Sequence, residues 1–100
     1  MTSKVEIYTW SNCIYSQKAK ALLQQKQVKY IEYCIDSDEK ARKLMSMRTN
    51  GKSTLPQIFV NNSHIGGYKD LYFLGELGTL DEMLDFGKVT SLRADDTFFL

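Results

Sequence analysis

A chain of 100 residues can form one domain with a modest hydrophobic core, but it is too short for a second domain with a core of its own. Its composition, 43% hydrophobic and 25% charged with one proline and six glycines, is that of an ordinary globular protein and excludes a disordered or repeat chain. The net charge of +1 provides no strong field, so we expect neither nucleic acid nor an anionic membrane as a partner.

The first part of the chain predicts a strand followed by a helix. Residues 4–9, KVEIYT, alternate between two faces as a strand does. The opening MTSKVEIYTW lacks the apolar core of a signal peptide, and no run approaches the roughly 18 apolar residues of a membrane span. In residues 14–25 the apolar positions recur at helical spacing, and Ser11 or Asn12 can cap that helix. The expected inward stripe is Tyr15, Ala19, Leu22 and Leu23.

A second strand and helix follow. Residues 28–36, VKYIEYCID, are rich in β-branched and aromatic types, and a strand here would run parallel to the first because a helix connects them. A helix is expected over residues 38–49, capped by Asp36 or Ser37 and stopped by Asn50-Gly51. Its predicted inward residues are Ala41, Leu44 and Met45.

The last part of the chain predicts a hairpin and helices. The runs QIFV and HI are joined by the polar segment 61–63, which indicates an antiparallel hairpin that Gly66-Gly67 ends. Helical patterns follow to about Leu77 and again over residues 79–86. We therefore expect one domain over residues 1–87 and a tail of unknown role over residues 88–100.

This order of elements predicts an α/β protein. A right-handed βαβ crossover covers one face of a sheet with a helix, and the hairpin must add alongside it. The expected architecture is a four-stranded mixed β-sheet flanked by helices, and a thioredoxin-like fold satisfies that order.

Cys13 is the residue whose position most strongly suggests chemistry. It lies directly after a strand and before a helix, where unpaired amides and the helix dipole favour an anion. A thiol there is acidified, and the thiolate is the species that reacts in disulfide exchange. The alternative is that Cys13 is a small buried hydrophobe.

The other candidate residues offer less. Ser16 stands three residues after Cys13, where a dithiol enzyme has its resolving thiol, and a hydroxyl cannot form a disulfide. Cys34 is most simply a packed strand residue, and the lone His64 has no metal-ligating neighbours in sequence, so a structural role is expected for it. Two cysteines are too few for a secreted disulfide scaffold, so we expect a cytoplasmic protein.

Three motifs, YTWSNCIYS, TLPQIFV and HIGGYKDL, together with their spacing resemble a glutaredoxin from about Lys4 to Phe86. The resemblance implies that Pro56 is a cis proline that turns the Leu55 backbone toward Cys13. Pro56 alone would fit an ordinary turn before a strand. The chain departs from the family at two positions, since many members carry a basic residue in place of Trp10 and an acidic or small hydroxyl residue in place of Lys69.

By the same resemblance, the ligand is glutathione. Its site would comprise Tyr15, Thr54, Leu55, Pro56, Gly67, Tyr68, Lys69 and Asp70. Tyr15 could instead be the exposed end of the apolar stripe. Arg48 and Lys52 are candidates to supply the positive charge that many family members carry at the position of Trp10, although surface basic residues are by default simply solvated.

The implied activity is a glutathione-dependent thiol–disulfide oxidoreductase that reduces glutathione mixed disulfides through Cys13 by a monothiol mechanism. Ser16 is either natural or an engineered replacement of a second cysteine, and in the second case the parent would reduce protein disulfides with two thiols. The expected partners are glutathione and glutathionylated proteins, and the expected state is a monomer. The alternative is a dimeric carrier of a glutathione-ligated [2Fe-2S] cluster with Cys13 as the metal ligand.

Overall fold

The structure is a computed structural model, and it describes residues 4–78. In chain order the elements are β1 (Val5–Thr9), α1 (Ile14–Gln25), β2 (Ile31–Cys34), α2 (Glu39–Arg48), β3 (Gln57–Val60), β4 (Ser63–Gly66) and α3 (Tyr68–Leu77). The predicted helix over residues 79–86, the domain end at residue 87 and the tail over residues 88–100 lie outside the described residues. Among the described residues, no helix is long and apolar enough to cross a membrane.

The strands form one mixed sheet in the order β2-β1-β3-β4. The β1–β2 pair is parallel, as a helical crossover requires, and the β1–β3 and β3–β4 pairs are antiparallel. The prediction of a four-stranded mixed sheet flanked by helices is confirmed. β1 lies in the interior of the sheet, and all five of its residues are buried.

Two hydrophobic clusters explain why β1 is buried on both faces. On one face Val5 and Ile7 pack with residues of α1, β3 and α3, a cluster completed by Ala19, Leu23, Ile58, Val60 and Leu71. On the other face Tyr8 and Phe59 pack with Met45 of α2 and with Ile35. The alternation of β1 therefore sends successive side chains into different layers. Packing on both faces holds the carboxyl end of β1 in place, and Cys13 follows shortly after that end in the chain.

The helix ends correct two predictions. α1 has the expected bounds, but its N-cap is Cys13 and not Ser11 or Asn12. α2 is capped by Asp38, whose Oδ1 accepts from the amide of Ala41 at 3.0 Å, and not by Asp36 or Ser37. Asp36 is unavailable for capping because it accepts from the backbone amide of Ser11 at 3.0 Å.

The inward face of α2 is narrower than predicted. Met45 is buried and Ala41 packs against it, but Leu44 is 48% exposed, so its assignment to the core is wrong. The helix ends as expected, because Asn50 and Gly51 both adopt positive φ, at 59° and 90°.

The β3–β4 hairpin has a two-residue turn. Asn61 and Asn62 adopt φ of 51° and 70°, the left-handed region that such turns require at both central positions. Ser63, which the sequence placed in the connection, already belongs to β4. The strand ends at Gly66, and Gly67 caps α3, so the hairpin delivers the start of α3 to the edge of the sheet near Pro56.

Candidate functional site

Cys13 lies at the junction of β1 and α1. Its backbone is extended, with φ of −92° and ψ of 118°, and no side chain caps the helix there. Its amide donates to the carbonyl of Trp10 at 3.0 Å, which closes the turn between strand and helix. The side chain is half-buried and the thiol is free. The position is the one expected from sequence, a thiol at a helix start.

The surroundings of Cys13 favour its thiolate. Burial tends to raise the pKa of the thiol, but hydrogen bonds from the Ser16 side chain and from the amides of Ser16 and Tyr15 outweigh it. The pKa of Cys13 therefore lies below its ordinary value. Ser16 is fully buried, and its Oγ also accepts from the amide of Trp10 at 3.3 Å. The sequence presented Ser16 only as a missing thiol, whereas the structure gives it a role in holding the thiolate.

The segment before β3 faces Cys13. The Leu55–Pro56 peptide bond is cis, as the family resemblance implied. The carbonyl oxygen of Leu55 accepts from Cys13 Sγ at 3.7 Å. Pro56 itself is buried, so this segment is held in place against the body of the domain. An extended backbone with polar groups beside a thiol can bind a peptide-like ligand as a neighbouring strand would be bound.

A cleft of about 370 Å³ lies beside this segment. One wall is formed by Tyr15 of α1 with Lys52, Thr54, Leu55 and Pro56 of the segment before β3. The ring of Tyr15, which is about half exposed, lies 6.0 Å from the ring of Tyr68 on the opposite wall. Since Cys13 Sγ contacts the Leu55 carbonyl, the thiol stands at the edge of this cleft.

The second wall is the turn from β4 into α3. It comprises Gly66, Gly67, Tyr68, Lys69 and Asp70. Asp70 Oδ2 accepts from the Gly67 amide at 2.9 Å, which satisfies one of the amides at the helix start. Gly66 adopts φ of +123°, and a Cβ there would lie 2.7 Å from Asp70 Cγ, so glycine is required at this position.

The expected ligand residues are thus brought together with one exception, Arg48. Its guanidinium lies away from the cleft, with Nη2 2.9 Å from Glu6 Oε1 and Nη1 2.9 Å from the Tyr8 hydroxyl. Hydrogen bonds from Arg48 lower the pKa of the Glu6 carboxyl, against the effect of burial, and the hydroxyl of Tyr33 assists. Arg48 binds inward because Glu6 is a nearly fully buried carboxylate that needs a cation.

The charge near Trp10 comes from a residue that the sequence did not indicate. The guanidinium carbon of Arg42, on α2, lies 5.2 Å from the centroid of the Trp10 indole ring. This is within the range of a cation–π contact. Trp10 packs beside the Tyr8 and Met45 cluster, so Arg42 is held above the turn that leads to Cys13.

Gln57 is a cleft residue that sequence reasoning missed. It is buried, and its Nε2 donates to the carbonyl and hydroxyl of Thr54 at 2.9 and 3.1 Å. Its Oε1 is paired with His64 Nε2 at 2.6 Å. A polar residue in the first position of the otherwise apolar strand QIFV was the signal available. Gln57 fixes the segment that carries Thr54 and Leu55.

The remaining cysteine and the histidine lie outside the site. Cys34 is exposed, and its Sγ donates to Asp36 Oδ1 at 3.0 Å, so the expectation that it is packed is wrong. β2 is an edge strand, which leaves that side chain in solvent. His64 stacks on Phe59 at 5.0 Å between centroids, in agreement with the structural role expected for it. Within residues 4–78, no group of three or more His, Cys, Asp or Glu side chains is placed to hold a metal ion.

Comparisons with known proteins agree with this geometry. The family model for glutaredoxin matches residues 5–65. A probable glutaredoxin of Synechocystis is 51% identical over 84 residues, which cover 84% of this chain and 96% of that protein. The solution structure of a glutaredoxin from Brucella melitensis superposes with a TM-score of 0.74 at 40% identity, covering 86% of this chain and 92% of that one. A buckwheat glutaredoxin–glutathione complex gives a TM-score of 0.74 at 26% identity, covering 84% and 78%.

Proposed function

Since the chain belongs to the glutaredoxin family and is a thiol–disulfide oxidoreductase, we propose that it reduces glutathione mixed disulfides through Cys13 alone. The observation that carries this proposal is the juxtaposition of Cys13 with the cleft. A thiol with a lowered pKa stands 3.7 Å from the Leu55 carbonyl, at the edge of a cleft large enough for part of a tripeptide. The buckwheat relative that superposes on this fold was solved as a glutathione complex, which supports the choice of ligand.

The proposed reaction has two thiol exchanges. The Cys13 thiolate attacks the glutathione sulfur of a mixed disulfide, a bond forms between Cys13 and glutathione, and the substrate thiolate leaves. A second glutathione thiolate then attacks the glutathione sulfur on Cys13. Glutathione disulfide is released and the Cys13 thiolate returns, so the disulfide bond of the substrate is exchanged for that of glutathione disulfide. The hydrogen bonds from Ser16 and the helix amides stabilise the thiolate before the first step and as the leaving group of the second.

Because position 16 is a serine, Cys13 supplies the one protein thiol of the proposed reaction. Ser16 occupies the position of a resolving cysteine, and its Oγ is turned toward Cys13 and the Trp10 amide. An intramolecular disulfide cannot form there, because the second sulfur is missing. In Ser16→Cys, we expect the introduced thiol to form a disulfide with Cys13 and the variant to gain activity in the reduction of protein disulfides.

The experiment measures turnover of a mixed disulfide of glutathione with a small thiol, at excess glutathione, for the wild type, Cys13→Ser and Cys34→Ser. We expect Cys13→Ser to abolish turnover and Cys34→Ser to retain it, because Cys34 lies outside the cleft. Equal turnover in the wild type and Cys13→Ser would refute the proposal. The visible spectrum and gel filtration of the purified protein test the [2Fe-2S] carrier, which predicts a brown, glutathione-dependent dimer where we expect a colourless monomer.

A further inference from the structure

The turn between β1 and Cys13 is anchored to a distant part of the chain by one carboxylate. Asp36 accepts from the amide of Ser11 with both oxygens, Oδ1 at 3.0 Å and Oδ2 at 3.3 Å, and the Ser11 hydroxyl also donates to Oδ2. Ser11 follows β1 by two residues, Asp36 follows β2 by two residues, and these strands are parallel neighbours. The contact therefore joins the loops at the carboxyl ends of the two strands.

The rest of this turn is held by bonds within the segment 10–17. Gln17 Nε2 donates to the carbonyl of Ser11 at 3.0 Å. The amide of Trp10 donates to Ser16 Oγ at 3.3 Å, and its carbonyl accepts from the amide of Cys13 at 3.0 Å. These bonds connect the turn to α1, whereas the carboxylate connects it to the end of β2. The peptide before Cys13 is thus held on two sides.

The charge of Asp36 opposes the thiolate that the turn presents. Hydrogen bonds from Ser11, and then from Cys34, hold the pKa of the Asp36 carboxyl below its ordinary value, so the group is an anion at neutral pH. An anion close to a thiol disfavours its thiolate form. By its charge alone, Asp36 would therefore work against Cys13, and any benefit to the thiolate must come from the geometry that its hydrogen bonds impose.

We propose that Asp36 is a positioning residue for the reaction of Cys13, because it keeps the Ser11 turn in the conformation that places the sulfur beside its hydrogen-bond donors. Those donors are the Ser16 side chain and the amides of Ser16 and Tyr15. Without the anchor the turn gains freedom, and the donors hold the sulfur for a smaller fraction of the time. The inference rests on the proposed function only in taking Cys13 as the reacting thiol.

Asp36→Ala separates positioning from charge, because the two effects predict opposite shifts. Removal of a nearby anion alone would lower the pKa of Cys13. Loosening of the turn raises that pKa, because hydrogen bonds from Ser16 and the helix amides are what lower it. We expect the rise, with a roughly two- to ten-fold fall in turnover of the glutathione mixed disulfide at neutral pH, the range that corresponds to one hydrogen bond.

The rate of alkylation by iodoacetamide, recorded against pH, measures the pKa of Cys13 without glutathione. The reagent is small and uncharged, and its rate follows the fraction of thiolate. Cys34 is exposed and would react as well, so every protein in the series carries Cys34→Ser. The serine hydroxyl can still donate to Asp36 Oδ1, as Cys34 Sγ does at 3.0 Å.

Two further variants assign the effect to the bond between Asp36 and Ser11. Asp38→Ala is the matched control, because it removes a carboxylate from the same connection, but one that caps α2 by accepting from the amide of Ala41 at 3.0 Å. It should not raise the pKa of Cys13. In Asp36→Asn the amide oxygen can still accept from Ser11, so the pKa of Cys13 should rise less than in Asp36→Ala. Circular dichroism verifies that each variant is folded.

The inference is overturned if the pKa of Cys13 falls or stays unchanged in Asp36→Ala, because Asp36 would then act through its charge or not at all. It is also overturned if Asp38→Ala or Asp36→Asn raises that pKa as much as Asp36→Ala does. Absence of mixed-disulfide turnover in the wild type would instead overturn the proposed function. The alkylation profiles would still decide whether Asp36 positions Cys13.

Discussion

Replacing Arg48 by methionine would leave the Glu6 carboxylate, whose side chain is 5% exposed, without its closest cation. The change removes hydrogen bonds of 2.9 and 3.3 Å to Glu6 and one of 2.9 Å to the Tyr8 hydroxyl. Two partners of Glu6 remain, the Tyr33 hydroxyl at 2.8 Å and Lys4 Nζ at 3.8 Å. Glu6 would thus be a buried charge with reduced compensation.

Removal of one partner of a buried ion pair typically costs about 3 to 5 kcal/mol. The remaining partners of Glu6, and the 20% exposure of the Arg48 side chain, place the expected loss at the lower end, about 3 kcal/mol. For a domain of this size, that loss lowers the melting temperature by roughly 12 to 24 °C. The double variant Glu6→Gln/Arg48→Met should recover part of it, because no unpaired charge is then buried.

Urea unfolding followed by circular dichroism at neutral pH measures these differences. Arg42→Met is the control, because Arg42 is about half exposed and makes a 3.8 Å pair with Glu39 and a contact with the Trp10 ring, each of which should contribute about 1 kcal/mol or less. If Arg48→Met costs no more than Arg42→Met, the reasoning is refuted.

The same pair predicts a pH dependence. The pKa of Glu6 is lower in the folded protein than its ordinary value of 4.5, so its contribution to stability is present above pH 4.5 and is lost as the pH falls through the folded pKa. Because Arg48 provides the largest part of that lowering, the stability difference between the wild type and Arg48→Met should shrink as the pH falls below 4.5. A difference that stays constant down to the acid transition would contradict this cause.

Two further predictions concern the site. In Ser16→Ala the pKa of Cys13 should rise, because the hydrogen bond from the hydroxyl is lost. The ultraviolet absorbance of the thiolate, recorded against pH, measures this pKa. An unchanged titration curve would show that Ser16 does not stabilise the Cys13 thiolate. Gly66→Ala should lower the free energy of unfolding by about 1 to 3 kcal/mol more than Gly51→Ala does. Both glycines have positive φ, but only at Gly66 would a Cβ lie against Asp70. Urea unfolding measures both variants, and an equal loss of unfolding free energy would contradict this reasoning.

Much of the fold could be predicted because its signals are local. The bounds of α1 were predicted to the residue, since its apolar positions recur at helical spacing and each lies within a few residues of the next. The parallel β1–β2 pair followed from the helix between them, and the antiparallel hairpin from its short polar turn. The prediction of Asp36 as an N-cap of α2 was wrong for a non-local reason. Asp36 accepts a hydrogen bond from the amide of Ser11, which lies 25 residues away in sequence.

For the candidate site as well, local features could be predicted from the sequence and contacts between distant residues could not. The sequence by itself determined that Cys13 stands at a helix start and, through three motifs, that the chain resembles a glutaredoxin, because those features lie in short segments with fixed spacing. Only the tertiary structure decided the partner of Arg48 and the exposure of Cys34. A charged or polar side chain binds whichever group the folded chain brings closest, and Glu6 lies 42 residues from Arg48. A motif can be read along the chain, but the competition among distant partners is resolved only when the sheet and its helices have assembled.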